Sequence, residues 1–130
     1  AINIASRAQK LAEDDTHFSA DALKEISIME SLCNNILDEL IILDYDEFKN
    51  IVDKVDIMED NIDKTQHQFT VNQLIRLKEK KCSTENSIIY TKILTDFERI
   101  GDHGLNIAES LYHIRKIMKQ MKMIKPEIEE

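Results

Sequence analysis

Glu98 and Asp102 stand four residues apart in the stretch Phe97-Glu98-Arg99-Ile100-Gly101-Asp102-His103-Gly104-Leu105-Asn106-Ile107-Ala108-Glu109. On a helix this spacing puts both carboxylates on one face, where like charges repel unless something of opposite sign lies between them. Two carboxylates so placed can share or bridge a hard cation through oxygen. Glu59 and Asp63 repeat the spacing upstream. Glu98 and Asp102 are therefore the first candidate metal ligands, with Glu59 and Asp63 as partners from a neighbouring helix. On the same residues a second reading stays open, in which Arg99 and Lys64 neutralise these acids on a solvated edge. His103, beside Asp102, is a metal-ligand type, but a lone histidine on such a helix reads more simply as a hydrogen-bonded packing residue. Asn106 can orient a ligand or bond a backbone carbonyl, and His17, His67 and His113 have no partner at a recognisable spacing.

The chain's two glycines, Gly101 and Gly104, both fall in this stretch. Each costs a helix about 1 kcal/mol relative to alanine. Two of them one turn apart predict the close approach of another backbone.

The elements that must position these residues are helices. The chain has 130 residues, 42% hydrophobic and 32% charged, with one proline and no tryptophan, and so lacks the turn punctuation of sandwiches, barrels and doubly wound sheets. Its net charge of −8 excludes wrapping a nucleic-acid backbone, which needs clustered Lys and Arg. No apolar run reaches the ~20 residues that span a bilayer, and no signal peptide is visible. Cys33 lies in an apolar stripe and Cys82 at a helix junction, without a zinc-type spacing, which predicts two reduced thiols. The start at Ala1, in mid-pattern and without methionine, reads as a piece of something longer.

Periodicity predicts an all-α antiparallel bundle of four helices, at about 1–14, 19–43, 45–80 and 84–122, in one domain over 1–125 with a tail at 126–130. The first carries Ala1, Ile4, Ala5, Ala8, Leu11 and Ala12 on one face. The second has Ser19 as N-cap, a staple of Phe18 with Leu23, and an apolar line through Ala22, Ile26, Met29, Cys33, Ile36, Leu40 and Leu43. Asp44 with Glu47, and Leu43 with Phe48, predict a tight reversal into the third helix. That helix turns Phe48, Ile51, Val55, Met58, Ile62 and Phe69 inward, after which Val71, Leu74 and Leu77 lie on a rotated line that predicts a stutter or a change of partner. The fourth, capped by Ser83, has one line from Ile93 through Phe97, Ile100, Gly104, Ile107, Leu111 and Ile114 to Met118 and Met121. A second line through Leu94, Glu98, Gly101, Leu105, Ala108 and Tyr112 predicts burial on a wide face. Met118, Met121 and Met123 read as helix-end packing, and Arg115, Lys116, Lys119, Lys122 and Lys125 as a solvated basic terminus able to meet anionic lipid.

Ile2-Asn3-Ile4-Ala5-Ser6 echoes Leu105-Asn106-Ile107-Ala108-Glu109. The signature stretch from Phe97 to His103, followed by Asn106 to Glu109, resembles the acidic helix of PhoU-type domains. Arg76-Leu77-Lys78-Glu79-Lys80-Lys81-Cys82-Ser83 is similar to the junction in the C-terminal cytoplasmic domain of bacterial sodium/phosphate cotransporter-related proteins. Gln73, Phe97 and Gly104 depart from that subgroup's usual histidine, leucine and alanine. The resemblance implies the end of one three-helix repeat plus one complete repeat, with the upstream acidic half-motif lying before Ala1.

It further implies metal clusters on the acidic motifs, with iron, manganese or zinc as the expected ion, and a non-enzymatic domain that regulates phosphate transport. Its expected partner is the transmembrane transporter portion of the same chain, at the cytoplasmic face of the bacterial inner membrane, without direct membrane insertion and with a homodimer left open. A four-helix carboxylate enzyme would need Glu-x-x-His pairs, and the sequence has none. The alternative function is a helical interaction or adaptor module without metal, for which the heptad regularity speaks. No glycine-rich loop or arginine pair marks a phosphate pocket.

Overall fold

The computed structural model describes residues 18–41 and 48–121. They form three helices, α1 (Ala20–Ile41), α2 (Phe48–Lys78) and α3 (Thr84–Gln120), and no strand is present among the described residues. The all-α expectation holds, and the boundaries agree with the predicted second, third and fourth helices to within a few residues. The predicted first helix, His17, the Asp44 reversal, Met123 and the tail from Lys122 onward lie outside the described residues, so three helices stand where four were expected.

The starts of α1 and α3 are each fixed by a serine. Ser19 Oγ accepts the Ala22 N–H at 3.1 Å, and Ser83 Oγ accepts that of Asn86 at 3.1 Å, satisfying backbone donors that the first turn leaves free. α2 ends in a Schellman arrangement: Lys80 N–H donates to Leu77 O at 3.0 Å and Lys81 N–H to Arg76 O at 2.8 Å. That geometry requires a left-handed residue, and Lys80, with φ 59, takes the position glycine usually fills.

α1 and α3 run parallel, with α2 antiparallel to both. Phe18 meets Tyr90 edge-on at 6.0 Å between ring centroids, the Cys33 thiol donates to Phe97 O at 3.2 Å, and Ile36 lies against Gly104. In the opposite sense, Glu39 pairs with Lys54 at 3.0 Å and Glu25 with Arg76 at 2.7 Å. Met29, Cys33 and Ile36 of α1, Val55 and Ile62 of α2, and Tyr90, Leu94 and Phe97 of α3 form a fully buried centre. Both cysteines are free, as expected, and burial pushes the Cys33 thiol up to about 12, leaving it unreactive.

Several packing expectations need correction. Phe18 is buried against Tyr90, whereas Leu23, its expected staple partner, is 38% exposed. Along the rotated line on α2, Val71 and Leu77 are half-buried while Leu74 is 60% exposed, and the buried residue of this stretch is Gln73. On α3 the second line is well covered, but the first opens to solvent beyond Gly104, with Ile107 and Ile114 about half exposed and Met121 more so. Ile36 and Leu40, near the end of α1, are the groups that face Gly104, so α1 offers little cover farther along.

The glycines make room for side chains rather than for a backbone. A Cβ on Gly101 would stand 3.1 Å from Ile62 Cδ1, and one on Gly104 only 2.5 Å from Ile36 Cγ2. The first neighbour is a terminal methyl that can turn; the second is fixed to a β-branched carbon with one preferred helical rotamer. Gly104→Ala is therefore expected to lower stability by about 1 kcal/mol after its gain in helix propensity is counted. Gly101→Ala should stay within about 0.5 kcal/mol of the parent or exceed it. Lys80→Gly should stabilise by about 1 kcal/mol by relieving the left-handed backbone. Urea unfolding of the three variants checks all three signs.

Candidate metal centre

Helical spacing places Glu59 and Asp63 on one face of α2, and Glu98 and Asp102 on one face of α3. The antiparallel packing sets these faces against each other beside the Ile62–Gly101 contact. One carboxylate oxygen from each of Glu59, Asp63 and Asp102 lies within 4.8 Å of the others, and all three side chains are half-buried. Glu98, also half-buried, borders the group: burial first, then the neighbouring Asp102 and the charge of Asp63, push its carboxyl up, with Arg99 opposing. The structure thus assembles all four predicted residues at one helix–helix seam, three as a tight cluster and Glu98 at its edge.

The cluster is strained as bare anions. Glu59 Oε2 and Asp63 Oδ1 are buried without a hydrogen-bond partner, a condition that costs free energy for any acceptor and more for a charged one. Asp63, close enough to share a proton with Glu59, together with burial and the charges of Asp102 and Asp56, pushes Glu59 up to about 7. The expected neutralising lysine is engaged elsewhere, because Lys64 pairs with Asp60 at 2.8 Å on the exposed side of α2. Arg99 is exposed and acts on Glu98 only through its charge. His103, His67, His113 and Asn106 are exposed and outside the cluster.

This donor set fits a cation. Oxygens each about 2.0–2.6 Å from one ion can lie up to about 5 Å apart, so the 4.8 Å spread requires little movement. Oxygen-only donors suit hard ions such as manganese or magnesium better than ions that favour sulfur.

The PhoU domain profile matches residues 26–111, which include all four carboxylates. The chain belongs to the PhoU domain family. Among curated proteins it is similar to the phosphate-specific transport system accessory protein PhoU homolog 1 of Thermotoga maritima, with 27% identity over 122 residues, 92% of this chain and 52% of that protein. The chain thus spans about half the length of that relative. No solved structure matches it significantly.

Toward the C-terminus of α2, this PhoU domain carries a second polar assembly, one without a motif in the sequence. Glu25, 8% exposed, accepts hydrogen bonds from Arg76 Nη2 at 2.7 Å, Asn72 Nδ2 at 2.8 Å and the Tyr90 hydroxyl. Burial alone would raise its pKa, but the bonds from Arg76, Tyr90 and Asn72 outweigh it and hold the carboxyl below its usual value. Gln73 accepts from Arg76 Nε at 2.8 Å and donates to Ser87 Oγ at 3.0 Å and Cys82 Sγ at 3.4 Å. The available signal was weak: Asn72 and Arg76 continue the three-and-four spacing of the inner line on α2, but as polar residues they were not counted in it.

The two polar assemblies of the PhoU domain titrate in opposite senses. Glu59 holds its proton more tightly folded than unfolded, so its contribution to stability is complete below the ordinary 4.5 and is lost as pH rises through about 7. The raised Glu98 acts in the same direction. The metal-free protein should therefore have a lower urea midpoint at about pH 8 than at about pH 6, and Glu59→Gln should flatten that decline. A midpoint that rises over this interval in chelator would show that these carboxylates do not repel.

Proposed function

We propose that this PhoU domain regulates phosphate transport without catalysing a reaction, through a cation held by Glu59, Asp63 and Asp102 with Glu98 at the edge. The observation that carries the reading is the seam itself, where carboxylates from two helices converge with two buried oxygens lacking any donor. When bound, the ion supplies the positive charge that α2 and α3 lack at their contact. Glu59 and Asp63 present oxygens from α2, Asp102 and Glu98 face them from α3, and Ile62 against Gly101 shields one side from water. Manganese, iron and zinc are the ions to test.

The setting we infer is the cytoplasmic face of a bacterial inner membrane, with the transmembrane portion of a sodium/phosphate cotransporter-type protein as partner. The junction from Arg76 to Ser83 supports the cotransporter setting through its resemblance to that subgroup, and the name of the Thermotoga relative ties a similar protein to phosphate transport. No helix among the described residues is long and apolar enough to cross a membrane.

Elemental analysis of protein purified without chelator or nickel affinity resin tests the proposal. The parent should carry stoichiometric metal, and Glu98→Gln/Asp102→Asn should lose it while its circular dichroism stays helical. Equal metal in both proteins, or none in either, would contradict the assignment.

A further inference from the structure

We infer that the assembly of buried Glu25 and Tyr90 with half-buried Arg76 and Asn72 is a register lock, whose task is to bring the carboxylates of α2 and α3 into phase. Glu25 is on α1, Asn72 and Arg76 on α2, and Tyr90 on α3, so one carboxylate gathers donors from both neighbouring helices. The Arg76 guanidinium also sits over the Tyr90 ring, 5.5 Å from its centroid. Beside it, the bond between Gln73 and Ser87 ties α2 to α3 at a defined pair of positions.

From that pair, ten residues back along α2 lead to Asp63 and eleven forward along α3 lead to Glu98. Both helices rise about 1.5 Å per residue, so the two paths have nearly the same length, about 15 Å. Fourteen residues back and fifteen forward reach Glu59 and Asp102 in the same way. Pairing at the polar end therefore dictates which carboxylates face each other.

Apolar packing specifies that phase weakly. The inner line of α2 through Ile51, Val55, Met58 and Ile62 repeats every three or four residues, so a slide of one turn still sets apolar groups against apolar groups. The notch of Gly101 faces Ile62, whose Cδ1 alone would press closely on an added Cβ, at 3.1 Å, while its Cγ2 at 3.5 Å and Cβ at 3.8 Å make ordinary contact, so a turned methyl can relieve the crowding. The polar end tolerates no such slide, because a shift of about 5.4 Å would leave the buried Glu25 carboxylate and the half-buried Arg76 guanidinium without each other. Polar groups placed in an otherwise apolar seam are the best-attested devices for fixing helix register.

This role rests on the cation reading for its consequence but not for its geometry, and the test separates the two. Cysteine pairs are placed in a Cys82→Ser background, where the buried Cys33 stays inert. Gln66→Cys with Thr95→Cys reports the observed register. Thr70→Cys with Thr95→Cys, and Gln66→Cys with Thr91→Cys, report one-turn slides in either direction. Each pair is made with the native assembly and with Glu25→Leu/Arg76→Leu, and manganese(II) affinity is measured by electron paramagnetic resonance on the variants without added cysteines.

The native assembly should cross-link only the first pair. The apolar variant should stay helical, cross-link a shifted pair as well, and bind manganese at least tenfold more weakly. If the apolar variant folds, cross-links only the first pair and keeps its affinity, the lock is overturned. If it fails to fold, Glu25→Gln decides on the same readouts: shifted cross-links with weakened binding support the lock, and native behaviour in both overturns it. Absence of manganese binding by the parent would refute the cation reading, while the cross-linking pattern would still decide the register.

Discussion

The phase of α2 against α3 governs the rest of this molecule. Two helices packed antiparallel present their side chains in pairs, and a displacement of a single turn exchanges every pair. In the observed phase the Ile62 methyl enters the notch over Gly101, Gln73 meets Ser87, and the carboxylates of Glu59 and Asp63 come against those of Asp102 and Glu98. The last of these is unfavourable by itself. Negative charges gathered at a half-buried seam, two of their oxygens without donors, raise the free energy of the empty fold. The buried centre built from Met29, Ile36, Val55, Tyr90 and Phe97 must outweigh that cost. A structure that stores repulsion at one place and offsets it with packing elsewhere is suited to respond to whatever relieves the repulsion.

The two polar assemblies obey opposite electrostatic rules. Around Glu25 every acceptor is supplied, with a guanidinium, an amide and a phenol converging on one carboxylate. Removing one partner of such a pair costs about 3–5 kcal/mol because the other charge stays buried. Around Glu59 the nearest groups are further acids, and the lysine that could have answered them pairs outward with Asp60. A satisfied cluster rigidifies, whereas an unsatisfied one invites a proton or a cation. α2 carries residues of both, which makes it the element through which a change at the acidic seam would be felt across the domain.

How far this was legible in the sequence depended on how local each signal was. The inner lines of α1 and the first half of α3 could be read because apolar residues at three-and-four spacing have one physical meaning. The acidic pairs could be read because four residues on a helix is a spatial statement. Glu25 could not be singled out, since a glutamate flanking an apolar line normally faces water, and its reason for burial lies on residues 51 and 65 positions away. The rotated line of Val71, Leu74 and Leu77 flanks a seam that is polar at Asn72, Gln73 and Arg76, which a pattern of apolar residues does not reveal. The glycines signalled a close approach correctly, but the sequence could not say whether a backbone or a branched side chain would fill the space.

The most direct test of the account is a crystal structure of the protein grown with manganese(II), with anomalous difference density measured at an energy where manganese scatters strongly. The account predicts a peak enclosed by oxygens of Glu59, Asp63 and Asp102, near Glu98, between α2 and α3. A fully metal-loaded crystal with its peak elsewhere, or with these carboxylates bonded to protein cations instead, would contradict it.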